Sequence, residues 1–187
     1  MLHDIFDEIL FLSESSYIRK FDNPEELSDW MSENIKYGFL ATNDRIYLDF
    51  DQFVDYKLQS PYEVYKNKVG VCWDQTFFEA YIFKRYLKIK YKIFFIITDD
   101  ENNTTHTFLV YYKNNKVYYF ENSYEKYRGI HEFNSDKDVI KFVINNMKND
   151  FGIKEYELRE IIKQPNFGCK GSEFVNFCLN DNKMITI

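Results

Sequence analysis

Residues 105–122 read Thr105-His106-Thr107-Phe108-Leu109-Val110-Tyr111-Tyr112-Lys113-Asn114-Asn115-Lys116-Val117-Tyr118-Tyr119-Phe120-Glu121-Asn122. Two runs rich in β-branched and aromatic side chains flank a short polar centre, the pattern of a β-hairpin. Asn tolerates positive φ, so Asn114-Asn115 suits a two-residue turn between strands Thr105–Tyr112 and Val117–Asn122. With that turn Tyr112 faces Val117, Val110 faces Tyr119 and Phe108 faces Glu121. Side chains alternate across a strand, so His106 and Glu121 project from one face as diagonal neighbours, about 7–8 Å apart. Asn122, opposite Thr107, points the other way. A loop one residue longer or shorter would exchange Glu121 and Asn122, which leaves Asn122 as the reserve partner for His106.

Upstream, Tyr91–Thr98 reads as another strand and 99–104 as a polar loop. Before these, Thr76, Ala80, Phe83 and Leu87 follow Cys72 at helical spacing and line one helix face. Cys72 therefore opens a helix, just after Gly70, where the chain can bend tightly. Asn23-Pro24-Glu25-Glu26 starts a helix running to about Tyr37, and Ser60-Pro61-Tyr62-Glu63 starts a short one ending near Asn67. A short amphipathic helix is expected over Asp4 to Phe11. Ser135 caps a helix from Asp136 to about Asp150, with Val139, Phe142, Val143 and Met147 on one face. The last forty or so residues give no clear pattern. Helices alongside an antiparallel hairpin make an α+β chain with the Cys72 helix packed on the sheet.

With 187 residues, 45% apolar and 29% charged, the chain is long enough for one real core and too apolar for a disordered one. No repeat or Gly/Ser/Pro-rich linker divides it. The expectation is one domain over 1–187: a helical N-terminal part (1–55), a core (56–135) and a C-terminal helix with an extension (136–187). Aromatic residues reach 20%, yet Lys, Asn, Ile, Phe and Tyr are abundant together, as AT-rich coding gives, so a carbohydrate or nucleobase platform is not inferred. The formal charge of −6 and the lack of a basic run argue against nucleic acid. No apolar run approaches the roughly 18 residues of a membrane helix. Asp4, Asp7 and Glu8 stand where a secretory signal carries Lys or Arg, so a cytoplasmic protein is expected.

Cys72, Cys169 and Cys178 are odd in number and form no CxxC pair, which argues against a disulfide framework and a structural zinc, and a catalytic metal at Cys72, His106 and an acid would need more His or Cys ligands than one site here could gather. No cofactor is implied. A helix N-terminus carries about half a positive charge and free N–H groups, which favour a thiolate and hold a developing oxyanion. A buried free cysteine is ordinarily an inert small hydrophobe. What sets Cys72 apart is the order thiol, imidazole, carboxylate in Cys72, His106 and Glu121, the three parts of an activated acyl-transfer nucleophile. His131 follows a loop and is read as structural, and Asp74 as an acid in the first helical turn.

At Gly70-Val71-Cys72-Trp73, at Thr105-His106-Thr107-Phe108-Leu109-Val110 and at Val117-Tyr118-Tyr119-Phe120-Glu121-Asn122, the chain resembles the transglutaminase-like superfamily over roughly residues 60–125. That family has a Gly-x-Cys motif opening a helix, then His and Asp on consecutive strands; this chain has Glu121 in the place of Asp. The resemblance implies a papain-like core and a cysteine hydrolase or acyltransferase. In it His106 takes the Cys72 proton, Glu121 orients His106, and a thioester with a peptide or protein substrate is released to water or an amine. It also implies an oxyanion site at the Cys72 N–H with one further donor, for which Gln59 and Trp73 are candidates. The competing reading is a non-catalytic peptide- or protein-binding module on the same fold. Nothing in the sequence speaks to oligomeric state.

Overall fold

The computed structural model describes residues 17–49, 54–98 and 104–186; the helix expected over Asp4 to Phe11 and most of the 99–104 loop lie outside them. In chain order the elements are α1 (Pro24–Asn34), β1 (Lys36–Tyr37), β2 (Phe39–Leu40), β3 (Ile46–Tyr47), α2 (Pro61–Asn67), β4 (Val69–Gly70), α3 (Cys72–Ile82), β5 (Tyr91–Thr98), β6 (Thr105–Lys113), β7 (Lys116–Glu121), β8 (Gly129–Phe133), α4 (Asp136–Phe151), β9 (Tyr156–Ile161), α5 (Gly171–Asp181) and β10 (Lys183–Met184). Five residues of π-helix, Phe83–Leu87, continue α3.

An antiparallel sheet in the order β10-β9-β5-β6-β7-β8 forms the centre. Its middle is the hairpin read from sequence. Asn114 and Asn115 have φ of 52° and 58°, the left-handed pair that a two-residue turn requires. Tyr112 faces Val117 and Val110 faces Tyr119, in the expected register. One sheet face packs on α1, α3 and α5 through Leu109, Tyr111, Phe120, Phe83 and Phe174. The other packs on α4 through Phe94, Phe108, Val110, Val143 and Met147. The aromatic excess is core: Trp73, Phe78, Phe83, Phe120 and Phe174 are fully buried side chains.

The caps act as expected. Asn23 accepts from the Glu26 N–H at 2.8 Å, and Ser60 and Glu63 bond each other's backbone N–H in a reciprocal box. α1 ends at Asn34, short of Tyr37, because Lys36 and Tyr37 instead pair in parallel with Val69 and Gly70. Residues 36–47 therefore carry strand pairs within the segment expected to be helical. The C-terminal part supplies β9, which pairs with β5 over six residues and belongs to the central sheet. β8, whose Gly-Ile-His-Glu-Phe pattern lacks clean alternation, covers the outer edge of β7.

α3 departs from the one-faced helix expected. Every residue from Cys72 to Ile82 is buried, because the sheet covers one side while α2, α5 and the aromatic cluster cover the other. Gly70 also differs: its φ is not positive, and its role is close approach, since a Cβ there would lie 2.9 Å from the Asp74 Cβ. Gly70→Ala is expected to lower stability by about 1–3 kcal/mol through overpacking, read from the urea unfolding midpoint.

Candidate active site

Cys72 is the first residue of α3, so its N–H has no carbonyl four residues back within the helix. The turn is held by Asp74, fully buried, whose carboxyl accepts from the Val71 N–H at 3.1 Å and the Gln59 N–H at 2.8 Å. Burial pushes this carboxyl up to about 7, against the three N–H donors from Gln59 and Val71 that favour its ionised form. Asp74 thus serves the helix start, as its position suggested.

His106, on β6, and Glu121, on β7, share a face. His106 Nε2–H donates to Glu121 Oε2 at 2.9 Å, and both side chains are buried. Cys72 lies close enough to His106 to act on its charge. Burial alone would lower the His106 pKa, but the Glu121 charge, the neighbouring Cys72 and the hydrogen bond to Glu121 outweigh it and push it up to about 10. Burial raises Glu121, and the His106 charge together with its hydrogen bonds reverses that, bringing it down to about 2.

Glu121 has more donors than sequence reading found. Tyr119 O–H donates to Oε2, while Ser123 O–H and the Tyr124 N–H donate to Oε1 at 2.9 and 2.7 Å. These hold the carboxylate in one orientation and favour its charge. Tyr119 was findable, since it lies two residues from Glu121 on the same strand face. Asn122, the reserve partner, faces α3 and donates to Gln75 Oε1 at 2.6 Å. The register therefore gives Glu121, not Asn122, to His106.

Of the two oxyanion candidates, Gln59 is taken up elsewhere, while the Trp73 indole N–H is buried without a hydrogen-bond partner among the described residues. Gln59 Nε2 donates to the Val69 carbonyl and to Asp74, so its amide is committed to the fold. The Trp73 indole packs between Tyr56 and Phe174. Two tyrosines that the sequence did not single out lie near the thiol. Tyr37 pairs with Gly70 across β1 and β4; the residue as a whole is 45% exposed, and it is burial at its hydroxyl end, then Cys72, then Tyr56, that push the hydroxyl up. Burial and the Cys72 and Asp74 charges do the same to Tyr56. Glu79, seven residues past Cys72, is a buried acid pushed well up by burial and by Glu121 and Cys72, which favours its neutral form. His131 is half-buried and donates to the Tyr127 carbonyl.

A family model described as a transglutaminase-like domain matches residues 17–128, more than half of the chain. The chain belongs to that family. No curated protein matches it. The matched span of this transglutaminase-like domain contains Cys72, His106 and Glu121, and all of α3, β6 and β7. Among the described residues no helix is long and apolar enough to cross a membrane, and no group of three or more His, Cys, Asp or Glu is arranged to hold a metal ion. A cavity of about 400 Å³ lined by Phe77, Ala80 and Tyr81 of α3 contains none of the three residues.

The His106–Glu121 pair carries a pH signature. A histidine raised on folding adds stability that is complete below its unfolded value, near 6.5, and lost as pH climbs through about 10. Glu121, lowered to about 2, adds stability present above its unfolded value, near 4.5, and lost as pH falls below it. Between pH 6.5 and 10 the urea midpoint of the wild type should fall more steeply than that of His106→Gln; parallel slopes would mean that the pair adds nothing.

Proposed function

We propose that this transglutaminase-like domain is a cysteine enzyme that cleaves amide or peptide bonds through Cys72, His106 and Glu121, with water as the acyl acceptor. The observation that carries the reading is the buried hydrogen bond from His106 to Glu121, with Cys72 at the start of α3 close enough to act electrostatically on His106. In the reaction the Cys72 thiolate, its proton held on the His106 imidazolium that Glu121 stabilises, adds to the amide carbonyl. The C–N bond breaks, the imidazolium gives its proton to the leaving amine, and a thioester remains on Cys72. His106 then takes a proton from water, whose oxygen attacks the thioester; the acid leaves and the thiol is restored. Glu121 keeps the ring in the tautomer and orientation that the sulfur needs and stabilises the imidazolium. The Cys72 N–H is the first oxyanion donor.

A second reading, a non-catalytic peptide- or protein-binding module, is favoured by burial: Cys72 and His106 are each 5% exposed. Acylation separates the two. With p-nitrophenyl acetate, the enzyme reading expects an acetyl adduct on Cys72 by mass spectrometry that decays as water attacks it. Cys72→Ala should abolish it while leaving the fold intact, and His106→Ala should slow it by at least about a hundredfold. Burial pushes the Cys169 and Cys178 thiols up, so both serve as internal controls. Equal labelling of all three cysteines would favour the binding module.

A further inference from the structure

Gln75 and Asn122 stand outside the thiol, imidazole and carboxylate line, yet both are 1% exposed and polar. Gln75 lies three residues into α3 after Cys72. Its Nε2 donates to the Gly70 carbonyl at 2.7 Å, two residues before Cys72. Its Oε1 accepts from Asn122 Nδ2 at 2.6 Å, one residue after Glu121. The Asn122 carbonyl in turn accepts from Arg128 Nε at 2.9 Å. A second tie runs from Thr76 O–H to the Thr107 carbonyl at 2.9 Å, one residue past His106.

The orientation of both amides follows from chemistry. A backbone carbonyl only accepts, so the Gln75 NH₂ must face Gly70; its oxygen then faces Asn122, which must present its own NH₂. Asn122 Oδ1 is left buried without a partner among the described residues. Gln75 Nε2 serves the buried Gly70 carbonyl, but the Gln75–Asn122 bond is made at the cost of a buried Asn122 Oδ1 without a partner, which an apolar side chain at 122 would not incur. What the amides add is direction: hydrogen bonds in a dry interior fix a separation.

We propose that Gln75 and Asn122 are positioning residues, an amide clamp that sets the Cys72 end of α3 against the Glu121 end of β7 and so aligns the thiol with His106. The clamp rests on the acyl-transfer reading of the site. It joins the chain on either side of the nucleophile to the residue after the acid, while Thr76 ties the same helix behind the histidine. A misplacement of about 1 Å at such a site costs on the order of a hundredfold in rate.

The test uses Gln75→Met, which removes the donor to Gly70, and Asn122→Leu, which removes the donor to Gln75. Both keep side-chain size. Two readouts are followed in the full chain: the pH profile of Cys72 alkylation by iodoacetamide, with Cys169 as reference, and the His106 ring titration by NMR. Circular dichroism and thermal melting check the fold. Folded variants are expected to alkylate Cys72 at least about tenfold more slowly at pH 7, with Cys169 unchanged and the His106 titration moved toward the ordinary histidine value. Wild-type profiles in both folded variants, or loss of fold in both, would overturn the clamp. If one variant fails to fold, the other decides. Wild-type Cys72 reacting no faster than Cys169 would instead sink the acyl-transfer reading; the His106 titration still judges the clamp, supporting it by moving and overturning it by staying.

Discussion

The turn at Asn114 and Asn115 is the constraint on which the rest of the site depends. Both residues occupy the left-handed region, and that conformation closes β6 onto β7 in a single register. Because side chains alternate, a slip of one residue would carry Glu121 to the α3 side and bring Asn122 toward His106. The fold holds the register twice more: Tyr119 and Val117 are buried against α4, while Tyr111 and Phe120 are buried against α3. A slip would expose a core on both faces at once.

Burial gives that register its electrostatic consequence. In the interior the Glu121 charge acts on His106 through little water, so the attraction outweighs the burial that would keep each group neutral. A buried pair of this kind is costly unless its remaining hydrogen-bonding positions are filled. Tyr119, Ser123 and Tyr124 fill them at Glu121. Removing one partner therefore leaves a buried charge without its counterpart.

α3 brings the thiol to this pair, and its complete burial is what makes the placement firm. A helix with one solvated face could roll on the sheet; one enclosed by sheet, α2 and α5 cannot without opening a cavity. Its start is fixed by Asp74, which binds the Val71 and Gln59 backbone, and by the tight contact at Gly70. The aromatic abundance of the chain belongs to this enclosure, with Trp73, Phe77 and Phe174 meeting edge to face around the helix.

The sequence by itself determined the local units: the caps at Asn23, Ser60 and Ser135, the helix that begins at Cys72, the hairpin turn and the shared face of His106 and Glu121. Each rests on side chains within a few residues of one another, where propensity and alternation act directly. Only the tertiary structure decided what surrounds them. β9 joins the sheet beside β5 from more than fifty residues away, and Tyr37 comes to Gly70 through a two-residue parallel pairing that no local pattern announces. The same holds for the commitment of Gln59 to Val69 and Asp74, and for the amides that tie Gln75 to Asn122. Those contacts join segments far apart in the chain, and their partners are chosen by packing and by the hydrogen-bonding needs of buried groups, which a linear pattern does not carry.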